Sequence, residues 1–266
     1  MEIHPTAIIS PHARLAEGVV IHAYSVIGPH VSIGQGTVVG PHAVIDGWTT
    51  LGARNQIHPF VSIGQPPQDT SYQGEETYVV IGDDNIFKEG VTVHRGTPRG
   101  KTVTTIGNHN FFMAYAHVAH DCIVDSHVVM ANAATLGGHV HVGDHVSIGG
   151  LTAVHQFVRL GVYAFIGGMS AIRKDVPPFM LASGNPVRLY GPNVVGLRRA
   201  RISREAIHGL KKSYRILFRT PMLLEEAVAR LRQEVEPGAE VETLVQFMQN
   251  PSRRGVMRLG HDSSGD

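Results

Sequence analysis

The feature that most constrains the fold is an apolar residue at every sixth position. From Ile3 to Ile63 this position carries isoleucine, leucine or valine without exception, and the register holds again from Ile106 to Ile172. A small or β-branched residue usually follows four positions later. Coils built on such a repeat stack so that each one buries the apolar face of the next. The period therefore predicts a mainly β fold, a parallel β-helix.

The repeat also predicts how the chain is divided. After the sequence DVPP, residues 175–178, the period disappears and helix-forming sequence follows. We therefore expect a β-helix over residues 1–185 and a C-terminal helical domain with a polar tail over 186–266. Two stretches, 64–80 and 95–105, interrupt the repeat. Insertions of this length on a solenoid usually contribute to a binding face.

Residue types that are favoured at helix starts predict three helices in the C-terminal part. Ser203 is expected to cap a helix over residues 204–218. Thr220 followed by Pro221 predicts a second cap, because proline is favoured at the first helical position. A last short helix is expected over 241–249.

Composition limits the class of protein. The 266 residues include 42% hydrophobic residues, enough for a sizeable core, and one cysteine, Cys122, which excludes an intramolecular disulfide and fits a reducing compartment. No long apolar run or signal-like N-terminus is present, so we expect a cytoplasmic protein with no stable membrane insertion. A net charge of +1 argues against bulk electrostatic binding to nucleic acid.

The positive charge is unevenly distributed. Between residues 198 and 219 only Glu205 opposes a run of basic residues, namely Arg198, Arg199, Arg201, Arg204, Lys211, Lys212, Arg215 and Arg219. Such a run is typical either of a solvated helix face or of a surface that binds an acidic partner, and the sequence leaves both open.

The stretch HVAHDC, residues 117–122, places two histidines three positions apart with an aspartate after the second. The inward positions of this segment are 118, 122 and their equivalents, so His117 and His120 are expected to point outward or into turns. Cys122 does fall on an inward position. We therefore interpret it as core packing rather than as a nucleophile.

A larger cluster follows from the length of a coil. If three hexapeptides form one coil, residues 18 apart stack at about 4.8 Å, which puts His120, Gly138 and Gln156 in one column. His139 follows Gly138, and His155 precedes Gln156. The repeat thus predicts an outward cluster of histidines along one edge of the β-helix.

Two chemistries fit such a cluster. Several imidazoles on one edge are what zinc requires, as in β-helix enzymes of the γ-carbonic anhydrase kind. A histidine is also the usual general base near neutral pH, and Asp121 could be a ligand or the partner that orients that base. Spacing alone leaves metal binding and catalysis open.

Nine motifs together resemble one enzyme family over essentially the whole chain. They are IGQPPQD, VTVHRGT, HVAHDC, LGGHV, IGGLTAVHQFVRLG, DVPPFMLASGNP, GPNVVGLRRA, SREAI and SRRGVMR. The chain resembles the UDP-N-acetylglucosamine 3-O-acyltransferases, the first enzymes of lipid A biosynthesis. The resemblance implies a left-handed β-helix and a homotrimer with active sites between neighbouring subunits, without cofactor or metal. It also implies transfer of a 3-hydroxyacyl chain from acyl carrier protein to UDP-N-acetylglucosamine.

The resemblance assigns roles to individual residues. His120 would be the general base, Asp121 its orienting partner, and the backbone N–H of Gly138 the oxyanion donor. The same cleft would be lined by His117, His139, His155 and Gln156. The remaining contacts implied are Gln68 and Asp69 to the glucosamine part, Asn193 and Arg199 to the nucleotide, and Gly168, with its neighbour Met169, to the end of the acyl chain.

Three positions depart from the family pattern. Ser71 stands where a lysine is frequent, Val195 where a nucleotide-contacting glutamate is, and Ala200 where the second of two arginines is. These differences bear on the diphosphate and uridine contacts and leave the histidine cluster unchanged.

Other functions remain as alternatives. A related N-acyltransferase acts later on the acylated sugar, but it carries a separate domain before its repeat, whereas this repeat begins at Ile3. The acceptor could also be the 3-amino analogue of UDP-N-acetylglucosamine, in which case transfer forms an amide. A γ-carbonic-anhydrase-like zinc enzyme and a non-catalytic scaffold are the candidates from other classes.

Overall fold

The computed structural model describes residues 1–250 and 252–257. Within them, short parallel strands form three sheets, which we call the first, second and third sheets in the order in which each coil visits them. The first sheet contains β1 Glu2–Ile3, β4 Val20–Ile21, β7 Val38–Val39, β10 Gln56–Ile57, β13 Ile86–Phe87, β16 Phe111–Phe112, β19 Val129–Met130, β22 Ser147–Ile148, β25 Phe165–Ile166, β27 Met180–Gly184 and β28 Val187–Pro192.

The other two sheets have the same construction. The second sheet contains β2 Ile8–Ile9, β5 Val26–Ile27, β8 Val44–Ile45, β11 Ser62–Gln65, β14 Thr92–His94, β17 His117–Val118, β20 Thr135–Leu136, β23 Ala153–Val154 and β26 Ala171–Ile172. The third sheet contains β3 Arg14–Leu15, β6 Ser32–Ile33, β9 Trp48–Leu51, β12 Tyr78–Ile81, β15 Val103–Ile106, β18 Ile123–Val124, β21 His141–Val142 and β24 Arg159–Leu160.

The register of the strands follows the sequence period. Ile3 pairs with Ile21, 18 positions away, as a coil of three hexapeptides requires. The two insertions lengthen this spacing, since Ile63 pairs with Val93, 30 positions on, and Val93 with Val118, 25 positions on. The extra residues leave the coil as two loops, 66–77 between β11 and β12, and 95–102 between β14 and β15.

From the second coil onward, the residues at every sixth position form the core of the β-helix, whereas Ile3 in the first coil is exposed. Val39, Ile63, Phe112 and Ile148 are examples of side chains that are almost completely buried. Burying each large apolar side chain stabilises the fold by about 1.5–3 kcal/mol. Cys122 is also fully buried, and burial raises the pKa of its thiol to about 12, which fits core packing.

The chain turns between sheets through residues in the left-handed backbone region. Along the edge between the second and third sheets, which we call the second–third edge, these residues include Asp121, His139 and Phe157, with φ of 59°, 62° and 67°. Left-handed backbone costs a non-glycine residue roughly 1–2 kcal/mol. Bonds between coils offset this cost, such as the one that His139 N donates to the His120 carbonyl at 3.0 Å.

The β-helix ends in a hairpin that the period does not predict. β27 continues the first sheet by pairing parallel with β25, and β28 returns antiparallel to it. Four helices follow, with bounds α1 Val194–Arg199, α2 Arg204–Arg219, α3 Leu224–Glu234 and α4 Ala239–Gln249. Their buried apolar faces form a second core that includes Leu210, Leu217 and Leu244.

One of the two predicted helix caps is wrong. Ser203 does cap α2, because its hydroxyl accepts a hydrogen bond from Ala206 N at 3.0 Å. Thr220 instead ends α2, and its hydroxyl donates to the carbonyl of Arg215 at 3.1 Å. The third helix begins only at Leu224, so proline at position 221 lies in the connection.

Within the described residues, no helix is long and apolar enough to cross a membrane. The segment 252–257 returns from α4 to the β-helix and pairs with Asp175. The predicted polar tail beyond residue 257 lies outside the described residues.

Candidate active site

The second histidine of HVAHDC is paired with the aspartate that follows it. His120 leaves the second sheet just after β17, and its Nδ1 lies 2.8 Å from Asp121 Oδ2. The His120 side chain is 15% exposed, whereas Asp121 is completely buried. A carboxylate at Nδ1 favours the tautomer with a proton on that nitrogen, which leaves Nε2 with a lone pair for a substrate proton.

The second loop covers the Asp121 carboxylate. Thr97 donates to it from its backbone N–H at 3.1 Å and from its hydroxyl at 2.7 Å, and Lys101 N donates at 2.7 Å. Burial raises the pKa of Asp121, but these donors and His120 outweigh it and hold the pKa at about 2. The carboxylate is therefore ionised at neutral pH and can stabilise a protonated His120.

Gly100 is required for this cover. A Cβ at position 100 would lie 2.5 Å from the Asp121 carboxylate, so any side chain would separate the loop from the acid. In the sequence this loop is recognisable only as an insertion into the repeat. The spacing of Thr97, Gly100 and Lys101 in the sequence matches no known pattern for binding a carboxylate. Their role is visible only once the structure places the loop over Asp121.

Gly138 lies next to the imidazole ring of His120. A Cβ at position 138 would be 2.6 Å from His120 Nε2, so only glycine leaves room for the ring. The column that the 18-residue coil predicts is present, because Phe157 N donates to the Gly138 carbonyl one coil below at 3.0 Å. Among described residues, the N–H of Gly138 has no hydrogen-bond acceptor.

Further imidazoles surround this pair. The His139 ring meets His120 edge-to-face at 5.1 Å between centroids, and its Nε2 lies 3.8 Å from Asp121 Oδ2. His117 Nδ1 lies 2.7 Å from the hydroxyl of Thr92. Burial lowers the pKa of both His117 and His139, so both are neutral at neutral pH and suited to hydrogen bonding.

His94 belongs to the same cluster and was missed by the sequence analysis. Its ring packs edge-to-face on His117 at 5.0 Å. Burial, followed by the charges of its histidine neighbours, lowers the pKa of His94 to about 4. The second insertion changes the spacing of this coil to 25 residues, and this hides the alignment of His94 with the cluster.

The first loop brings a second carboxylate toward His120. Asp69 Oδ1 accepts hydrogen bonds from the backbone and the hydroxyl of Ser71, both at 2.8 Å. These bonds lower the pKa of Asp69, and the charges of His120 and Arg99 act in the same direction. Gln68 is exposed on the same loop.

The buried Arg95 connects the two loops, and it was also missed. Its Nη1 donates to the carbonyl of Gly64 and its Nη2 to the hydroxyl of Tyr72, both at 2.7 Å. The guanidinium also lies 5.5 Å from the ring centroids of Tyr72 and Trp48. Arg95 thus fixes the first loop to the coil from which the second loop leaves.

His155 and Gln156 follow along the second–third edge. Gln156 is one coil beyond Gly138, and both His155 and Gln156 are exposed. Arg254 of the C-terminal segment lies against both of them, with Nε donating to the Gln156 carbonyl at 2.8 Å. The sequence arithmetic places these two side chains on the correct edge.

Asn193 and Arg199 lie elsewhere in the chain. Asn193 caps α1 by accepting a hydrogen bond from Gly196 N at 3.1 Å, and its amide donates to the Tyr163 carbonyl at 3.2 Å. Arg199 lines a cavity of about 680 Å³ together with Val195 and Ala200, next to the edge between the third and first sheets. A single chain therefore does not bring these residues to His120.

Gly168 and Met169 lie on the remaining edge, between the first and second sheets. Met169 is 74% exposed, and Tyr115 and Leu151 are similarly exposed in the same column of turns. A Cβ at Gly168 would lie 3.2 Å from the Gly150 carbonyl, with open space otherwise. Exposed apolar side chains therefore form a strip along this edge.

The residues around His120 fit a general base that is oriented by a carboxylate better than they fit a metal centre. Ligand atoms of His120, Asp121 and His139 lie within 4.8 Å of one another among the described residues. However, both oxygens of Asp121 already accept hydrogen bonds from the second loop, and Oδ2 also contacts His120. A carboxylate with so many donors is suited to orienting an imidazole rather than to binding zinc directly.

Two family models match the chain. Residues 12–47 match the bacterial transferase hexapeptide, six repeats, and residues 175–257 match domain 2 of UDP N-acetylglucosamine O-acyltransferase. The second match covers the hairpin, the helices and the segment that returns to Asp175.

Relatives match over nearly the full length. An acyl-[acyl-carrier-protein]–UDP-N-acetylglucosamine O-acyltransferase of Syntrophobacter fumaroxidans is 59% identical over 97% of this chain and 100% of the relative. One of Thiobacillus denitrificans is 50% identical over 96% and 99%.

Solved structures agree with these matches. The UDP-N-acetylglucosamine O-acyltransferase of Moraxella catarrhalis is 42% identical with a TM-score of 0.93 over 97% of this chain and 100% of that one. The acyltransferase of Campylobacter jejuni is 37% identical with a TM-score of 0.91 over 97% and 99%.

These similarities confirm the expected fold class, a left-handed parallel β-helix followed by C-terminal helices. Identity of this level over the whole length is far above what a shared fold alone would give. The chain belongs to the acyl-[acyl-carrier-protein]–UDP-N-acetylglucosamine O-acyltransferase family.

Proposed function

We propose that the chain transfers a 3-hydroxyacyl group from acyl carrier protein to the 3-hydroxyl of UDP-N-acetylglucosamine, as the first step of lipid A biosynthesis. The observation that carries the proposal is the His120–Asp121 pair, 2.8 Å apart, with its carboxylate buried under the second loop. The names of the full-length relatives support it, since they contain an acyl carrier protein as donor and UDP-N-acetylglucosamine as acceptor.

The reaction follows from the chemistry of this pair. A sugar hydroxyl is a weak nucleophile at neutral pH, so His120 Nε2 removes its proton as the oxygen attacks the thioester carbonyl. The N–H of Gly138 donates to the oxyanion that forms. When the tetrahedral intermediate collapses, the C–S bond breaks and the imidazolium returns its proton to the thiolate. Transfer is direct, without an acyl-enzyme intermediate.

Asp121 acts on His120 rather than on the substrate. Its pKa of about 2 keeps it anionic, and its Oδ2 holds the Nδ1 proton and stabilises the imidazolium. The surrounding His117, His139, His155 and Gln156 would orient the sugar and the donor by hydrogen bonds. Asp69, with Gln68 beside it, would hold the glucosamine from the first loop.

We propose a homotrimer in which a neighbouring subunit completes each site. Support comes from the separation within one chain, since Asn193 and Arg199 lie near a different edge from His120. If the subunits pack edge to edge, the nucleotide contacts of one chain can face His120 of the next. The exposed apolar strip at Gly168 and Met169 would then contact the acyl chain.

The acyl carrier protein is the second proposed partner, and the cytoplasm the proposed location. The basic residues of α2, including Lys211 and Arg215, are exposed and could contact an acidic carrier. A solvated helix face remains the alternative for them. If these residues contact the acyl carrier protein, reversing the charges of α2 should raise the KM for that carrier.

The test is acyl transfer by the purified protein. Radiolabelled 3-hydroxyacyl carrier protein is mixed with UDP-N-acetylglucosamine or with its 3-amino analogue, with and without a chelator. We expect a base-labile ester on the first acceptor and no effect of chelation. Preference for the amino sugar would indicate the amide-forming alternative, and chelation that removes zinc and activity together would indicate the zinc enzyme.

A further inference from the structure

The C-terminal segment, residues 252–257, is fixed to the end of the second–third edge. The backbone of Asp175 donates to the carbonyl of Gly255 at 2.9 Å and accepts from Met257 N at 3.1 Å. Its buried carboxylate accepts a hydrogen bond from the hydroxyl of Ser252 at 2.7 Å. The position of the segment is therefore set by the β-helix and not only by α4.

This attachment places Arg253 at the end of the column of turns that contains Asp121. The His139 ring stacks on Phe157 at 4.4 Å, and Arg253 Cζ lies 3.6 Å from the centroid of the Phe157 ring. Burial lowers the pKa of His139, the charges of His120 and Lys101 lower it further, and the charge of Arg253 adds the smallest contribution in the same direction. Arg253 is thus electrostatically coupled to the histidine cluster.

Arg254 occupies the same place on the neighbouring column, which contains His120. Its Nε donates to the Gln156 carbonyl at 2.8 Å, and its Nη2 lies 3.5 Å from His155 Nε2. Gln156 is two coils beyond His120, a distance of about 10 Å at the usual strand spacing. Each column that starts at the His120–Asp121 pair therefore ends at one arginine.

Both guanidinium groups keep donors for a ligand. Within residues 1–250 and 252–257, neither Arg253 nor Arg254 forms an ion pair with a carboxylate. Arg253 Cζ lies over the Phe157 ring, and among the described residues its N–H groups form no hydrogen bond. Arg254 uses Nε for the Gln156 carbonyl, which leaves Nη1 available. Two adjacent guanidinium groups of this kind favour a phosphate, which accepts several charge-assisted hydrogen bonds.

We propose that Arg253 and Arg254 form a phosphate-binding site of the same cleft, supplied by the C-terminal segment. The assignment rests on the proposed function, because there both substrates carry phosphate. The ligand is either the phosphodiester of the thiol arm of the acyl carrier or the diphosphate of the nucleotide sugar. The segment would then orient one substrate about two coils from the base.

The test compares probes that differ only by phosphate. Calorimetric titration of the full chain uses 4′-phosphopantetheine against pantetheine, and UDP against uridine. Variants are Arg253→Gln and Arg254→Gln, with Arg254→Lys to keep the charge and Arg232→Gln, an exposed arginine of α3, as the control. Thermal unfolding of each variant reports whether it folds.

We expect wild type to bind the phosphorylated probe of one pair at least about tenfold more tightly than its dephosphorylated partner. Arg254→Gln should remove most of this preference, Arg253→Gln should reduce it, and Arg254→Lys should keep part of it. The pair that responds identifies the substrate. The KM for that substrate should rise in the same variants while kcat changes little, and Arg232→Gln should match wild type.

Wild type that binds both members of each pair equally would overturn the site, as would a preference that survives in both glutamine variants. If Arg254→Gln does not fold, Arg253→Gln and Arg254→Lys decide, because the first keeps the bond from Arg254 Nε to the Gln156 carbonyl and the second keeps a charged donor at position 254. The binding measurement needs no turnover. Failure of acyl transfer with intact phosphate preference would therefore count against the proposed function and not against this site.

Discussion

Gly138 and His120 are in such close contact that a Cβ on the glycine would lie 2.6 Å from His120 Nε2. The same residue therefore makes room for the proposed base and offers its backbone N–H to the proposed oxyanion. Gly138→Ala should move the ring and lower kcat by on the order of a hundredfold, since a displacement of about 1 Å has such effects on catalysis. Steady-state kinetics with a thermal unfolding control measures this.

Gly137→Ala is the control for Gly138→Ala. A Cβ there would meet the backbone of the next coil rather than the His120 ring. Gly137→Ala should therefore affect stability more than the chemical step. Equal kcat for wild type and a folded Gly138→Ala would show that the contact does not matter for turnover.

Because of Asp121, the free energy of unfolding should decrease as the pH falls into the acid range. Its pKa is lowered from 3.8 to about 2 in the folded protein, so its contribution is present above its unfolded pKa and is lost as the pH falls through about 2. A shift of this size corresponds to about 2 kcal/mol. In urea titrations, the difference in unfolding free energy between wild type and Asp121→Asn should shrink by about this amount from pH 6 to pH 2. A difference that stays constant with pH would contradict the lowered pKa.

Ser71 should weaken binding of the nucleotide sugar relative to a lysine at that position. A neutral hydroxyl cannot give a phosphate the charge-assisted bond that an ammonium group gives, so Ser71→Lys should lower the KM for UDP-N-acetylglucosamine severalfold. Ser71→Ala is the control, because it removes only the hydroxyl bond to Asp69. If Ser71→Lys raises the KM as much as Ser71→Ala does, the bond to Asp69 is the more important contribution.

Gly168 should allow a long acyl chain. The absence of a side chain at Gly168 leaves room on the apolar strip for a donor of about fourteen carbons, since each buried methylene contributes roughly 0.8 kcal/mol. Gly168→Met should shift the preference toward shorter donors. Ten-, twelve- and fourteen-carbon donors competing in one assay measure this, and a wild-type preference for ten carbons would show that the exposed Met169, not Gly168, sets the length.

The amino-acid sequence predicts the site best where the repeat is uninterrupted. Between Ile106 and Ile172 the spacing stays at 18, so simple arithmetic places His120, Gly138 and Gln156 in one column. The geometry of the coil is enough to predict these positions, because a side chain that points inward determines which neighbouring side chains point outward.

The rest depends on contacts that no local pattern encodes. His94 joins the histidine cluster through a coil of 25 residues, and Thr97 reaches Asp121 from a loop whose path the period does not describe. Thr220 has the residue type of an N-cap, but the preceding helix uses it as a C-cap. Because the last turn of α2 buries Leu217 and Phe218, the helix continues to Arg219 and ends at Thr220.

The proposed mechanism depends on His120 as the general base. The most direct measurement is single-turnover acyl transfer by folded His120→Ala, with calorimetric titration of UDP-N-acetylglucosamine to show that binding is kept. We expect the rate to fall at least about a hundredfold, because no other described side chain has a nitrogen in the place of His120 Nε2 beside Gly138, while the sugar nucleotide binds nearly as in wild type. A near-normal rate in this variant would contradict the assignment.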